Sequence, residues 1–257
     1  MKSSNEAQIQ HAFTQQAAGF ESKRMNFSKQ DYLYSVVQKI VPSKTDAVLE
    51  VAAGTCACGR TIAPYARNVV CLDMTPAMLS VGKAEAAKNH LDNITFVLGD
   101  AAELPFLNGS FDIVLSRLAF HHFPDVKQPF AEMIRVLKPG GKLVLIDMEA
   151  AEEPLRETED SIEKMRDPSH VRNLSENEML ALYRDNGLSV SCCEVTKMPV
   201  VLQSWLEHTK TPPEMQTQIK NKMFDELNGE GKTGFAPYVH NKELCFEQRW
   251  VLLIGKK

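Results

Sequence analysis

The sequence predicts an α/β fold with a mostly parallel sheet and helices on both faces. Three observations carry that expectation. Helical and strand patterns alternate from about residue 28 to residue 195, the order that a parallel sheet with crossover helices requires. An apolar run, Val48-Leu49-Glu50-Val51, leads into a turn of small residues, Ala52-Ala53-Gly54-Thr55-Cys56. Further on, a second apolar run, Val69-Val70-Cys71-Leu72, ends on Asp73. Small residues after a strand let a ligand approach the backbone closely. A carboxylate ending the next strand can accept both hydroxyls of a ribose. Together they predict a nucleoside-containing cofactor lying across the strand ends.

Each element has its own warrant. Ser28 reads as a helix N-cap, followed by Leu33, Val36, Val37 and Ile40 at one-face helical spacing, and Pro42 ends that helix. The first strand covers about 47–51, a helix about 57–66, and the second strand 69–72. Thr75 and Pro76 cap and start the next helix, which runs to about Asn89. The third strand, 94–98, is followed by Gly99-Asp100, and Asn108-Gly109 marks a turn before the fourth strand at 111–116. A helix at about 126–137 has Phe130, Met133, Ile134 and Leu137 on its apolar side. Lys138-Pro139-Gly140-Gly141 reads as a sharp turn into the fifth strand, 142–147. Residues 151–171 are charged and helical in pattern. Ser175-Glu176-Asn177-Glu178 is a capping box, with Leu174 and Met179 placed as a hydrophobic staple, and the helix stops at Gly187. Strand patterns at about 188–199 and 243–254 bracket a helical and loop-like stretch at 200–240.

Composition limits the function classes. With 257 residues, 44% hydrophobic and 24% charged, the chain has the make-up of a globular protein large enough for one α/β domain with an insertion. A net charge of -4 argues against a nucleic-acid backbone as partner. No apolar run approaches the roughly 20 residues of a membrane span. The N-terminus lacks the apolar core of a signal peptide, so a cytoplasmic protein is expected. Cys56-Ala57-Cys58 has the wrong spacing for a zinc knuckle or a C-x-x-C redox pair, and no metal is expected.

The cofactor class is narrowed by the turn itself. A dinucleotide site wants G-x-G-x-x-G to cradle a pyrophosphate, but the corresponding residues are Ala52, Gly54 and Ala57. Glu50 would also set a negative charge beside that phosphate. A cofactor without phosphate and with a cationic end tolerates this acid better, and S-adenosylmethionine is such a ligand.

In this order the chain resembles the class I S-adenosylmethionine-dependent methyltransferases. The matching pieces are Val48-Leu49-Glu50-Val51-Ala52-Ala53-Gly54-Thr55, Cys71-Leu72-Asp73-Met74-Thr75-Pro76-Ala77-Met78-Leu79 and Val97-Leu98-Gly99-Asp100-Ala101-Ala102-Glu103-Leu104-Pro105-Phe106. To these are added Phe111-Asp112-Ile113-Val114-Leu115-Ser116-Arg117-Leu118-Ala119-Phe120-His121-His122 and Arg135-Val136-Leu137-Lys138-Pro139-Gly140-Gly141. Within that class it is similar to the ubiquinone and menaquinone C-methyltransferases and related small-molecule enzymes. The resemblance implies a Rossmann-like, doubly wound, seven-stranded sheet with an antiparallel last strand. It implies that residues 1–45 close over the cofactor, and that residues 46–257 form the methyltransferase domain with 200–240 over the substrate side. Ala52 and Cys56 depart from the family, which has glycine there.

The resemblance also assigns roles. Glu50 holds the loop and the methionine ammonium, and Ala52 and Gly54 allow close backbone approach. Asp73 takes the ribose hydroxyls and Met74 the adenine face. Asp100 accepts from the adenine amine, and the Ala101 N–H meets a ring nitrogen. Arg117 and Leu118 line the methionine end. Phe20, in a segment that also holds Arg24 and Met25, closes over the cofactor.

His121 and His122 follow the fourth strand where acceptor and methyl group should meet. Histidine can take a proton near neutral pH, which makes His121 the candidate base. His122, His170, Arg172 and Tyr238 are candidates for holding substrate. The expected activity is methyl transfer to carbon or oxygen of a small molecule. The alternative is a non-catalytic S-adenosylmethionine-binding or partner module on the same fold.

Overall fold

The computed structural model describes residues 4–21 and 30–257. Ser28, Arg24 and Met25 lie outside the described residues. The N-terminal helix α1 (Ser4–Gln16) and a 3-10 turn (Ala17–Gly19) precede α2 (Gln30–Ile40). Alternation then begins: β1 (Ala47–Val51), α3 (Ala57–Ile62), β2 (Asn68–Asp73), α4 (Pro76–Lys88), β3 (Ile94–Leu98), β4 (Phe111–Arg117), α5 (Lys127–Val136) and β5 (Leu137–Met148). The C-terminal part comprises α6 (Arg156–Arg166), α7 (Glu176–Asp185), β6 (Ser189–Val201), α8 (Leu202–His208), α9 (Pro213–Leu227), β7 (Tyr238–His240) and β8 (Glu243–Lys256).

The strands lie in the order β3-β2-β1-β4-β5-β8-β6, with β7 paired to β8 outside that path. The first five strands are mutually parallel. The last, β8, runs antiparallel between β5 and β6. The expected doubly wound sheet with an antiparallel last strand is therefore present, with one further short strand. That strand was not expected because its turn lacks glycine: Asn241 and Lys242 both have positive φ, 49° and 68°, the conformation of a tight two-residue hairpin.

The central strands of the sheet are buried on both faces, and their residues divide by the two-residue period of a strand. Val48 of β1 and Trp250, Leu252 and Ile254 of β8 join α2 and α3 in one core. Leu49 and Val51, with Val251 and Leu253, join α5 and α7 in the other. A third cluster ties the region after β6 to α6: Trp205, Leu206, Ile219, Met223 and Phe235 pack with Ile162 and Phe246.

One expected turn is different. Strand β5 begins at Leu137, and 138–141 bulge out within it, since Phe111 pairs with Leu137 but Ile113 pairs with Lys142. The conformation asked of Gly140, φ 77°, explains the Pro-Gly-Gly signal. At α4, Thr75 occupies the N-cap and Pro76 the first turn, but the Thr75 side chain makes no capping bond. The capping box of α7 forms in full between Ser175 and Glu178.

Candidate active site

The carboxyl ends of β1, β2, β3 and β4 open on a cleft. This is where ligands bind in open parallel sheets, outside the strand ends where the order reverses.

The loop after β1 takes an unusual backbone path. Ala52, Gly54 and Cys56 have φ of 51°, 54° and 63°. This left-handed conformation favours glycine, so the two family departures sit in the geometry that glycine would relieve. Asp73 fixes the loop from the neighbouring strand: Oδ2 accepts from Gly54 N at 2.7 Å and Oδ1 from Thr75 N at 2.8 Å. Burial raises the Asp73 pKa against these hydrogen bonds.

Glu50 is buried beneath the same loop and accepts from Gly59 N at 2.7 Å. It thereby meets the first turn of α3, where a carboxylate is favoured. Burial pushes its pKa up to about 7 even so. Gly59 allows the close approach, since a Cβ there would lie 2.6 Å from Cys71 Sγ and 2.8 Å from Glu50 Oε2.

The sequence-derived cofactor residues converge on this cleft. Glu50, Ala52, Gly54, Asp73, Met74, Asp100, Ala101, Arg117, Leu118 and Phe20 all line it. Asp100 Oδ1 also accepts from Ala102 N at 2.8 Å, which orders the turn after β3. Leu118 has φ 53° and donates its N–H to Ile146 O at 2.7 Å. The N-terminal segment lines the cleft with Ile9, Phe13 and Phe20. Gln10 ties it down through a 2.8 Å bond to Met74 O, and Glu21 pairs with Arg60.

His121 and His122 also line the cleft. His121 Nδ1 lies 2.5 Å from Asp147 Oδ1. The other Asp147 oxygen accepts from Ala119 N at 3.1 Å and Phe120 N at 2.7 Å, so the carboxylate holds the whole turn after β4. Burial disfavours a charged His121, but the Asp147 charge and hydrogen bond outweigh it and raise the pKa. The reverse holds next door: burial, then the neighbouring His121, push His122 down to about 3.

Three expected substrate residues do not line the cleft. His170 is buried behind His121, its ring centroid 5.7 Å away, with Nε2 bonded to Asp160 at 2.9 Å. Arg172 turns to Glu178 Oε1 at 2.8 Å. Tyr238 sits on β7, held to the outer part of β8 opposite Cys245. The cleft instead includes Arg166, Asp167, His208 and Thr209. Arg166 pairs with Glu163 at 2.9 Å and lies 4.5 Å over the Trp205 ring. These residues had no motif to mark them. Asp147 did have a signal, an acid at the carboxyl end of a parallel strand.

A family model described as a methyltransferase domain matches residues 49–145. The Bacillus subtilis methyltransferase YcgJ is 35% identical over 173 residues, spanning 67% of this chain and 68% of its own. Its crystal structure superposes with a TM-score of 0.80 over 89% of this chain and 98% of that one. The chain belongs to the class I S-adenosylmethionine-dependent methyltransferases. Other relatives of this methyltransferase include Escherichia coli YafE, 37% identical over 63% of this chain and 80% of its own. A demethylmenaquinone methyltransferase from Clavibacter sepedonicus is 31% identical over 68% of this chain and 70% of its own.

The residues of this methyltransferase suit its methyl donor. Arg117 Nη1 is buried without a hydrogen-bond partner among the described residues, and so can meet the carboxylate of a methionine moiety. Asp73 retains lone pairs for ribose hydroxyls. Glu50 and Asp73 complement a cationic ligand. Among the described residues no helix is long and apolar enough to cross a membrane, and no group of three or more His, Cys, Asp or Glu could hold a metal ion.

Proposed function

We propose that this methyltransferase acts on an ionisable oxygen of a small molecule, or on a carbon activated by that oxygen, with His121 as general base. The observation that carries the reading is the buried Asp147–His121 pair at 2.5 Å beside the cleft. Because the carboxylate only accepts, Nδ1 carries the hydrogen and Nε2 is left as the basic nitrogen.

When bound, the cofactor supplies an electrophilic methyl group on a sulfonium. The protein's part is alignment, exclusion of water and management of one proton. Asp73, Asp100 and the loop at 52–56 hold the nucleoside, while Glu50 and Arg117 serve the methionine end. The N-terminal segment covers the cleft through Phe13 and Phe20. His121 Nε2 takes the acceptor's hydroxyl proton, and Asp147 stabilises the imidazolium so formed. The likeness to demethylmenaquinone methyltransferases supports a small-molecule acceptor.

Calorimetric titration with S-adenosylhomocysteine, wild type beside Asp73→Ala, tests the cofactor half. Binding weakened at least tenfold by the substitution is expected. No binding to the wild type would overturn the reading.

A further inference from the structure

Arg166, the last residue of α6, lines the cleft with its guanidinium fixed from two directions. Nε and Nη2 meet one oxygen of the buried Glu163, at 3.0 Å and 2.9 Å. The guanidinium carbon stands 4.5 Å over the Trp205 ring. Thr211 Oγ1 holds the backbone through a 3.1 Å bond to Arg166 O. Nη1 makes no hydrogen bond among the described residues, and unlike Arg117 Nη1 it is not shut off from solvent. The cleft is the open space that Arg166 borders. The result is a rigidly held pair of N–H donors at a ligand site.

Asp167, the next residue, also lines the cleft and is buried. Both hydrogen bonds that its carboxylate accepts fall on Oδ1, from Ser169 N at 2.9 Å and Ser169 Oγ at 2.6 Å. Oδ2 accepts none among the described residues. Burial opposes a charge on Asp167, but His122, Arg166 and the Ser169 donors outweigh burial and hold the acid below the usual carboxylate range. Consecutive residues thus offer the cleft one fixed donor and one fixed acceptor. Their surroundings are not cationic, because Glu163 cancels the charge of Arg166 and Asp167 adds a negative one. A carboxylate or phosphate on a ligand would be repelled there. A neutral carbonyl suits Nη1, and an N–H beside it suits Oδ2. A ligand that lacks either group leaves a desolvated partner unsatisfied, which is costly.

We propose that Arg166 and Asp167 anchor the methyl acceptor through an uncharged amide, its carbonyl oxygen accepting from Arg166 Nη1 and its N–H donating to Asp167 Oδ2. This rests on the methyl-transfer reading of the cleft and adds the class of acceptor, a molecule with an amide apart from the atom that is methylated. Phe13, Phe20 and Phe123 also line the cleft, so its walls suit an aromatic body joined to that amide.

The test is calorimetric titration of the protein saturated with S-adenosylhomocysteine, using benzamide, acetophenone and benzoate. Acetophenone keeps the carbonyl and has no N–H, and benzoate is charged. Benzamide is expected to bind about tenfold more tightly than either. Asp167→Asn keeps an oxygen for the Ser169 bonds and turns Oδ2 into a donor nitrogen. It is expected to bring benzamide to within about threefold of acetophenone. Arg166→Lys keeps a charge beside Glu163 and removes the planar fork, and is expected to weaken both benzamide and acetophenone by about threefold or more. A wild type that binds benzamide no better than acetophenone, or benzoate as well as benzamide, overturns the proposal and leaves the methyltransferase reading standing. So does a preference retained in Asp167→Asn, or benzamide affinity unmoved in Arg166→Lys. Failure of the wild type to bind S-adenosylhomocysteine overturns the underlying cofactor reading itself. The wild-type series decides the matter on its own should the variants not fold.

Discussion

At the scale of single residues, two buried acids of this site behave oppositely because their partners differ. Asp147 accepts from His121 and from the N–H groups of Ala119, Phe120 and Met148. Burial opposes its charge, but the histidine and these donors outweigh that and lower its pKa. Asp147→Asn removes the charge that raises His121. The ascending limb of the pH–rate profile is then expected to move to lower pH, and the rate to fall by about 10²-fold or more. A general loss of structure would reduce the rate without moving the limb. Glu50 shows the other case. Its pKa rises from an ordinary 4.5 to about 7, chiefly through burial. Between those values the folded protein binds a proton that the unfolded chain has lost. The stability this contributes is complete below 4.5 and is lost as pH rises through 7. Glu50→Gln keeps an acceptor for the Gly59 N–H and removes the titration. Denaturant unfolding at pH 5 and pH 8 is expected to show the variant gaining on the wild type at the higher pH; an unchanged difference would contradict the assignment.

At the scale of elements, the cofactor half of the site was legible in the sequence because it is local. Asp73 and Arg117 end strands β2 and β4, and Asp100 lies two residues past β3; the apolar run before it pointed to Asp73, and the family resemblance supplied Asp100 and Arg117. The substrate half is assembled from segments distant in sequence, and no spacing links His208 to Asp147. Tyr238 and Arg172 were misplaced for that reason: aromatic or basic character indicates chemistry but not direction, and pairing with β8 and Glu178 turns them elsewhere. Hairpin β7–β8 was missed because its Asn-Lys turn carries no glycine. The helices after β6 hold together through Trp205, fully buried against Phe235, Phe246 and the Arg166 guanidinium. Trp205→Ala is expected to cost about 3–5 kcal/mol and to loosen Arg166, His208 and Thr209. S-adenosylhomocysteine affinity should stay within threefold, because all its proposed contacts but Phe20 lie on β1 to β4 and the loops after them. Calorimetry on the folded variant checks this, and an equal collapse of cofactor binding would show that the two halves are not separable.

At the scale of the whole molecule, the sheet connects these halves. Strand β8 lies between β5 and β6 and spreads its side chains over both cores, with Trp250, Leu252 and Ile254 on one face and Val251 and Leu253 on the other. The same strand carries Phe246 into the cluster around Trp205. The cleft draws on residues from the N-terminal helix to Thr209. Unfolding any one of these parts exposes apolar surface on its neighbours, so heating is expected to give one cooperative transition. A ligand that binds only the folded state raises stability by RT ln(1 + [L]/Kd), about 2.7 kcal/mol at a hundredfold excess over Kd. For a chain of this size that is a shift of about 5–10 °C. Differential scanning calorimetry with S-adenosylhomocysteine should therefore move the whole peak upward. A split endotherm with only one component responding would mean that the helices after β6 melt independently of the sheet, and that the cores joined by β8 are energetically distinct.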